Sequence, residues 1–98
     1  MALRVDPGHN ELRALESVAD WRGKKVIEIG CGDGRLTLRL AGLGAFVDAY
    51  DPKANLIRTA RRKQPTRFSK RIRYHVGQAE HLKAEDESVE RVVFAWSL

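Results

Sequence analysis

The sequence predicts an α/β fold, an open parallel sheet with flanking helices. Three observations lead there. The first is "KVIEIG" at residues 25–30, a β-branched run too short for a helix and bounded by glycine. The second is the stretch directly after that run, three glycines in "GCGDG" at 30–34 and then at once an apolar helical pattern. The third is the repetition of strand-then-helix order along the chain, which requires parallel strands joined by right-handed crossovers. In such sheets a ligand sits beyond the carboxyl ends of the strands, near the point where strand order reverses.

Each element has its own signal. "DPGHNELRALESVA" offers Asp6 as a cap, Pro7 just after it, and Leu12, Leu15, Val18 and Ala19 at helical spacing, so a short amphipathic helix is expected at about residues 8–19. "DWRGKK" is a turn, and it leads into the first strand, "KVIEIG". Leu36, Leu38, Leu40, Ala41 and Leu43 then make an apolar helix of about ten residues, which Gly42 or Gly44 ends. "AFVDAYD" reads as the second strand, and "PKANLIRTARRK" as a helix that begins at Pro52 and turns Ala54, Ile57 and Ala60 inward. "RIRYHVG" alternates as a third strand, "QAEHLK" forms one helical turn, and "ERVVFAWSL" is the fourth strand. No internal repeat, low-complexity tract or linker interrupts this order, so a single domain is expected over residues 1–98, with its core at 24–98.

Composition narrows the class. With 43% hydrophobic and 32% charged residues and only 3 prolines, the chain is globular rather than disordered. The lone Cys31 excludes an intrachain disulfide and leaves no cysteine-based zinc site. "MALRVDPGHN" lacks an apolar signal core and no stretch approaches the ~18 apolar residues of a membrane span, so a cytoplasmic location without a membrane partner is expected. The net charge of +5 is unevenly placed. Residues 1–50 are balanced, whereas Lys53, Arg58, Arg61, Arg62, Lys63, Arg67, Lys70, Arg71 and Arg73 succeed one another with no acidic residue between Pro52 and Ala79. The plainest reading of this 53–73 stretch is a solvated helix and loop face. The same charge would also steer RNA or another polyanion toward the protein.

The glycine turn is the main chemical clue. A backbone this bare lets a ligand approach where a side chain would block it, although tight packing is the alternative reason for glycine. The dinucleotide fingerprint is G-x-G-x-x-G, with the pyrophosphate received at the helix N-terminus. Here the spacing is G-x-G-x-G, and Asp33 places a negative charge that opposes a pyrophosphate. There is no G-K-[ST] after it, so no lysine is positioned for a nucleotide's outer phosphates. A cationic or zwitterionic ligand with a nucleoside half fits better, because Glu28 and Asp33 favour positive charge while the bare backbone hydrogen-bonds a carboxylate.

Taken in order and spacing, "VIEIGCGDGRLTLRLA", "VDAYDPKANLIRTAR", "VGQAEHL" and "DESVERVVFAWSL" resemble the motifs of the class I S-adenosylmethionine-dependent methyltransferases. The most similar branch is the broad small-molecule type that includes quinone-biosynthesis-like enzymes. The resemblance covers about residues 24–98. It implies a Rossmann-like open parallel sheet of strand order 3-2-1-4, counting the four expected strands from the N-terminus. The family's complete sheet has seven strands, so this chain corresponds to the N-terminal, cofactor-binding half and lacks the C-terminal strands. The implied cofactor is S-adenosyl-L-methionine and the product S-adenosyl-L-homocysteine, with an acceptor nucleophile attacking the sulfonium methyl in line.

The resemblance also assigns residues. Glu28 matches the acid that lies under the methionine moiety and helps orient its ammonium. Gly30 and Gly32 match the glycines over which the methionine and ribose portions pass, with Cys31 a small packing residue between them and Gly34 completing the motif. Asp51 matches the acid that accepts from both ribose hydroxyls. It lies twenty-one positions beyond Gly30, where nicotinamide-dependent families also place an acid, so it does not discriminate alone. Without a ligand, Asp51 reads as a helix cap before Pro52. Pro52 and the stem of Lys53 are candidates for one adenine face. Gln78 replaces the family's usual adenine-binding Asp and accepts without charge assistance, so adenine recognition is either weaker or shared with Glu80, while Ala79 supplies a backbone N–H and Leu82 packs near the base. Trp96 falls beside the expected place of the sulfonium, as a cation-contacting ring or as core. Val89 and Glu90, in place of the usual Phe-Asp, are structural differences. No residue is a convincing general base, and His9, His75 and His81 read as surface or strand histidines.

In the expected order the fourth strand lies at an edge of this chain, so "VVFAW" is expected to expose apolar surface and to self-associate through the strand ending at Leu98. The expected acceptor is a small molecule, with RNA the alternative. A noncatalytic cofactor-binding partner subunit is the second functional class, and an NAD(P)-dependent oxidoreductase the third.

Overall fold

The computed structural model describes residues 2–5, 20–77 and 89–95. The elements are β1 (Ala2–Val5), β2 (Lys25–Ile29), α1 (Arg35–Gly42), β3 (Phe46–Asp51), α2 (Ala54–Lys63), a 3₁₀ turn (Thr66–Phe68), β4 (Ile72–Val76) and β5 (Arg91–Ala95). They form one five-stranded sheet of order β1-β5-β2-β3-β4 in which every pairing is parallel. The four strands expected from the sequence are β2, β3, β4 and β5, and they stand in the expected 3-2-1-4 arrangement. The helix expected at about 8–19 and the turn expected at "QAEHLK" lie outside the described residues.

β1 corrects one expectation. It runs beside β5, with Ala2 opposite Val92 and Val5 opposite Ala95. β5 therefore lies between β1 and β2, and Val93 is fully buried. The exposed apolar edge expected at "VVFAW" is already paired, and the self-association argued from it loses its basis. Its sequence, ALRV, does not alternate apolar and polar residues, which is why it carries no clear strand signal.

Alternation along β3 separates the two sheet faces. Val47, Ala49 and Asp51 are buried on one side, whereas Phe46, Asp48 and Tyr50 point to the other. The first side packs beneath both helices: Leu36 and Leu40 of α1, one helical turn apart, and Ile57 and Ala60 of α2 close over Val26, Val47 and Val93. Each large aliphatic side chain so buried contributes about 1.5–3 kcal/mol of transfer free energy. α2 starts at Ala54 rather than Pro52, because Lys53 is extended (φ −90°, ψ 102°) and its N–H donates to Asp51 Oδ1 at 2.9 Å. The later start leaves Ala54 exposed, while Ile57 and Ala60 face inward as expected.

On the other face, Asp48 Oδ1 lies 2.9 Å from His75 Nε2 and 3.0 Å from Arg73 Nε, and the His75 ring stacks on Tyr50 with centroids 4.5 Å apart. Other members of the basic stretch also serve the fold. Arg61 donates to the Tyr74 carbonyl at 2.8 Å, Lys63 pairs with Asp33 at 3.1 Å, and Arg71 donates to the Gly44 carbonyl at 2.9 Å while its guanidinium covers Phe46. Arg67 covers the Phe68 ring, so at least five of the nine cations between residues 53 and 73 have partners among the described residues.

Candidate functional site

β2 ends at Ile29, and the chain turns through residues 30–34 before α1 begins. The N–H groups of Gly30 and Cys31 both donate to the Tyr50 carbonyl, at 2.8 and 3.0 Å, and the Gly32 N–H donates to Asp51 Oδ2 at 2.9 Å. These bonds lace the turn to the carboxyl end of β3. Gly30, Gly32 and Gly34 all have positive φ (79°, 58° and 90°), yet they are glycines for different reasons. A Cβ at Gly30 would stand 2.9 Å from the Ala95 carbonyl oxygen, and one at Gly34 would stand 2.5 Å from the Tyr74 hydroxyl. Those two positions are bare so that β5 and the α1–β4 packing can approach. A Cβ at Gly32 would meet nothing within 4 Å among the described residues. Of the three, Gly32 alone has no neighbour among the described residues that a Cβ would meet, and it lies at the ends of β2 and β3.

Two acids flank this opening. Asp51 is 7% exposed, and each of its carboxylate oxygens accepts one backbone N–H, Oδ2 from Gly32 and Oδ1 from Lys53. A carboxylate offers about four acceptor sites, so Asp51 retains capacity for further donors while being held in place. It is a strand-end residue bound to the next turn, and Lys53 occupies the cap position of α2. Glu28 is fully buried on the helix side of β2, and the Thr37 hydroxyl donates to its Oε1. Asp33 at the turn is paired with Lys63, both about half exposed, which offsets the negative charge argued to repel a pyrophosphate. The G-x-G-x-G spacing is therefore the stronger discriminator.

Cys31 is buried, and burial first, then the Glu28 charge, push its thiol well above the ordinary cysteine range. A thiol held neutral is a poor nucleophile, and the buried Cys31 side chain packs in the core beneath the turn. The same two causes in the same order raise the Tyr74 phenol. Its hydroxyl is buried and makes no hydrogen bond of good geometry among the described residues.

The structure brings Glu28, Gly30, Cys31, Gly32, Gly34, Asp51 and the exposed Pro52 together at the ends of β2 and β3. Gln78, Ala79, Glu80 and Trp96 lie outside the described residues. His75, on the opposite sheet face with Asp48 and Tyr50, does not join the site. Sequence reasoning missed Thr37 and Tyr74. The signal for Thr37 was a polar residue in the buried stripe Leu36, Thr37, Leu40, Ala41 of α1.

The Methyltransferase domain family matches residues 26–98 of this chain. Over 71 residues the chain is 42% identical to the mitochondrial ubiquinone biosynthesis O-methyltransferase of Mus musculus, covering 69% of this chain and 18% of that protein. Over 76 residues it is 38% identical to the magnesium-protoporphyrin O-methyltransferase of Rhodobacter capsulatus, covering 74% and 34%. Its fold superposes with a TM-score of 0.71 and 30% identity on Haemonchus contortus phosphoethanolamine N-methyltransferase 1, solved with phosphoethanolamine and S-adenosylhomocysteine, over 86% of this chain and 18% of that one. The chain thus spans well under half the length of each of these relatives. A family match over residues 26–98, which takes in β2, the glycine turn, Asp51 and β5, settles the family: the chain belongs to the class I S-adenosylmethionine-dependent methyltransferases, and corresponds to an N-terminal part of their domain.

Proposed function

We propose that this chain binds S-adenosylmethionine across the glycine turn and serves methyl transfer to a small-molecule acceptor. The observation that carries this reading is the pairing of Gly32, unobstructed among the described residues, with an Asp51 carboxylate that holds the Gly32 N–H at 2.9 Å. Gly32 leaves room for a ligand against the backbone, and the clamped Asp51 presents remaining lone pairs to the two ribose hydroxyls in charge-assisted hydrogen bonds. Glu28 supplies negative potential beneath the turn for the ammonium end. Pro52 offers an apolar surface to adenine, and Gln78, Ala79, Glu80 and Trp96 complete the site by the family pattern. Gly30, Cys31 and Gly34 shape the turn rather than touch the ligand through side chains.

The cofactor, when bound, supplies a sulfonium methyl open to in-line attack. The chain itself contributes alignment and exclusion of water, effects that alone lower barriers by several kcal/mol. Three relatives named for ubiquinone biosynthesis, magnesium-protoporphyrin and phosphoethanolamine support a small-molecule acceptor without choosing among chemistries. The structural duties of Arg61, Lys63, Arg71 and Arg73 count against RNA. Isothermal titration calorimetry tests the cofactor assignment. S-adenosylhomocysteine is expected to bind in preference to NADH, and equal or tighter NADH binding would overturn the proposed cofactor assignment.

A further inference from the structure

The glycine turn has an acid of its own besides the Asp51 bound to it. Asp33 stands between Gly32 and Gly34 with its carboxylate about half exposed, and Lys63 Nζ lies 3.1 Å from its Oδ2. Lys63 closes the last turn of α2 beside Arg61 and Arg62. A helix C-terminus favours cations in general, and that alone would account for three basic residues in a row. What distinguishes Lys63 is its partner: Arg61 turns to the Tyr74 carbonyl, whereas Lys63 reaches back to the turn between β2 and α1. The two acids are therefore held differently. Asp51 accepts backbone N–H groups, which bring no net charge, while Asp33 is met by a full positive charge. Exposure does not confine the Asp33 field to solvent. Burial and then the Glu28 charge raise the Cys31 thiol and the Tyr74 phenol, and Asp33 acts on both in the same direction as a lesser cause.

We propose that Lys63 sets how strongly the turn discriminates between the cationic cofactor and its neutral product: by compensating Asp33 it holds down the negative potential that a sulfonium meets there. The inference rests on the reading that the turn binds S-adenosylmethionine. S-adenosylhomocysteine lacks the transferred methyl and with it the positive charge on sulfur, while the two ligands share their adenosine, ammonium and carboxylate groups. Packing and hydrogen bonds to the shared groups therefore cancel in the ratio of the two affinities. A fixed charge near the sulfur does not cancel. Lys63 is a positioning residue in this sense, since it acts through Asp33. A half-exposed ion pair contributes little to stability, so the duty of this one lies in the potential rather than in the fold.

The test measures S-adenosylmethionine and S-adenosylhomocysteine binding by calorimetry in about 0.02 M and about 0.5 M sodium chloride, conditions of weak and strong screening. The parent chain is compared with Lys63→Met, Lys63→Arg, Asp33→Asn and the double variant Lys63→Met with Asp33→Asn, with a thermal melt for each. In low salt Lys63→Met is expected to shift the affinity ratio toward S-adenosylmethionine by roughly two- to fivefold, the scale of one partly screened charge. Most of that shift should vanish in high salt. Asp33→Asn should move the ratio by a similar factor the other way. The double variant, which removes both charges, should return near the parent ratio, and Lys63→Arg should keep it. An unchanged ratio for Lys63→Met in low salt overturns the proposal, as does a shift that salt leaves intact, which marks a packing effect. A response to Lys63→Met without the opposite response to Asp33→Asn overturns it too, because Asp33 would then not be the charge that Lys63 compensates. A parent chain that binds neither ligand removes the cofactor reading and this inference with it. A parent that binds both, with a ratio indifferent to the pair, leaves that reading standing and removes this inference alone.

Discussion

At Gly32 and Gly34 the same residue type answers two different physical demands. An alanine at either position must adopt a left-handed backbone, at about 1–2 kcal/mol. At Gly32 (φ 58°) the added methyl meets none of the described residues within 4 Å, so the fold should survive while affinity for S-adenosylhomocysteine falls by roughly tenfold, equivalent to about 1.4 kcal/mol. At Gly34 (φ 90°) the methyl would stand 2.5 Å from the buried Tyr74 hydroxyl, and overpacking adds about 1–3 kcal/mol to the backbone cost. Gly34→Ala should therefore melt well below Gly32→Ala, and adding Tyr74→Phe should recover part of the loss. Equal melting temperatures for the two alanine variants would refute this division of roles. Asp51 combines both demands, since its oxygens hold the N–H groups of Gly32 and Lys53. Hydrogen bonds to charged groups are worth about 1.5–3 kcal/mol, so Asp51→Ala should lower the melting temperature as well as the affinity. Asp51→Asn should keep more of the stability than of the binding, and calorimetry beside a thermal melt separates the two. None of this was legible in "GCGDG": what a glycine is for depends on what its missing Cβ would have met, and the atoms concerned belong to β4 and β5, far along the chain.

At the scale of elements, β5 shows how one short strand changes the behaviour of a sheet. Its backbone pairs with β2 on one side and β1 on the other, in register from Ala2 opposite Val92 to Val5 opposite Ala95. Deleting residues 1–5 would leave one ladder of β5 unpaired beside its apolar side chains, the condition under which edge strands recruit another chain. The shortened chain is expected to self-associate in a concentration-dependent way by light scattering where the parent does not. A deletion that stays monomeric would mean that β1 is not what protects this strand. The elements read correctly from the sequence, β2 through β5 with α1 and α2, each span at least five residues and so repeat their period at least twice. β1, with the sequence ALRV, does not alternate apolar and polar residues at all. The start of α2 was misplaced by two residues because Pro52 suits a first helical turn, whereas the Asp51 carboxylate captures the Lys53 N–H and holds that residue extended. Thr37 shows the complementary limit, since its place in the α1 stripe was visible but its partner Glu28, across a crossover, was not.

At the scale of the whole molecule, the junction of sheet, turn and helix determines the response to alkali. Cys31 and Tyr74 are buried there beside Glu28, and burial raises both above their ordinary values. The folded chain therefore retains two protons that the unfolded chain releases as pH climbs past about 8.5 for a thiol and about 10 for a phenol. Because stability changes with pH as the difference in protons bound by the unfolded and folded states, a folded state that binds more loses stability as pH rises. The stabilisation is thus fully present below about pH 8.5 and declines above it, by at most about 1.4 kcal/mol per pH unit for each group that titrates. Urea denaturation should give a flat midpoint with respect to these two groups between pH 6 and 8 and a falling one beyond. Cys31→Ala should remove the earlier part of that fall and Tyr74→Phe the later part. The two variants are best compared with the parent at each pH, so that ionisation of surface lysines cancels. If Cys31→Ala declines along the parent's curve from pH 8.5 to 10, the thiol is not shielded as described, and the tight seating of the turn against α1 and β4 would have to be reconsidered.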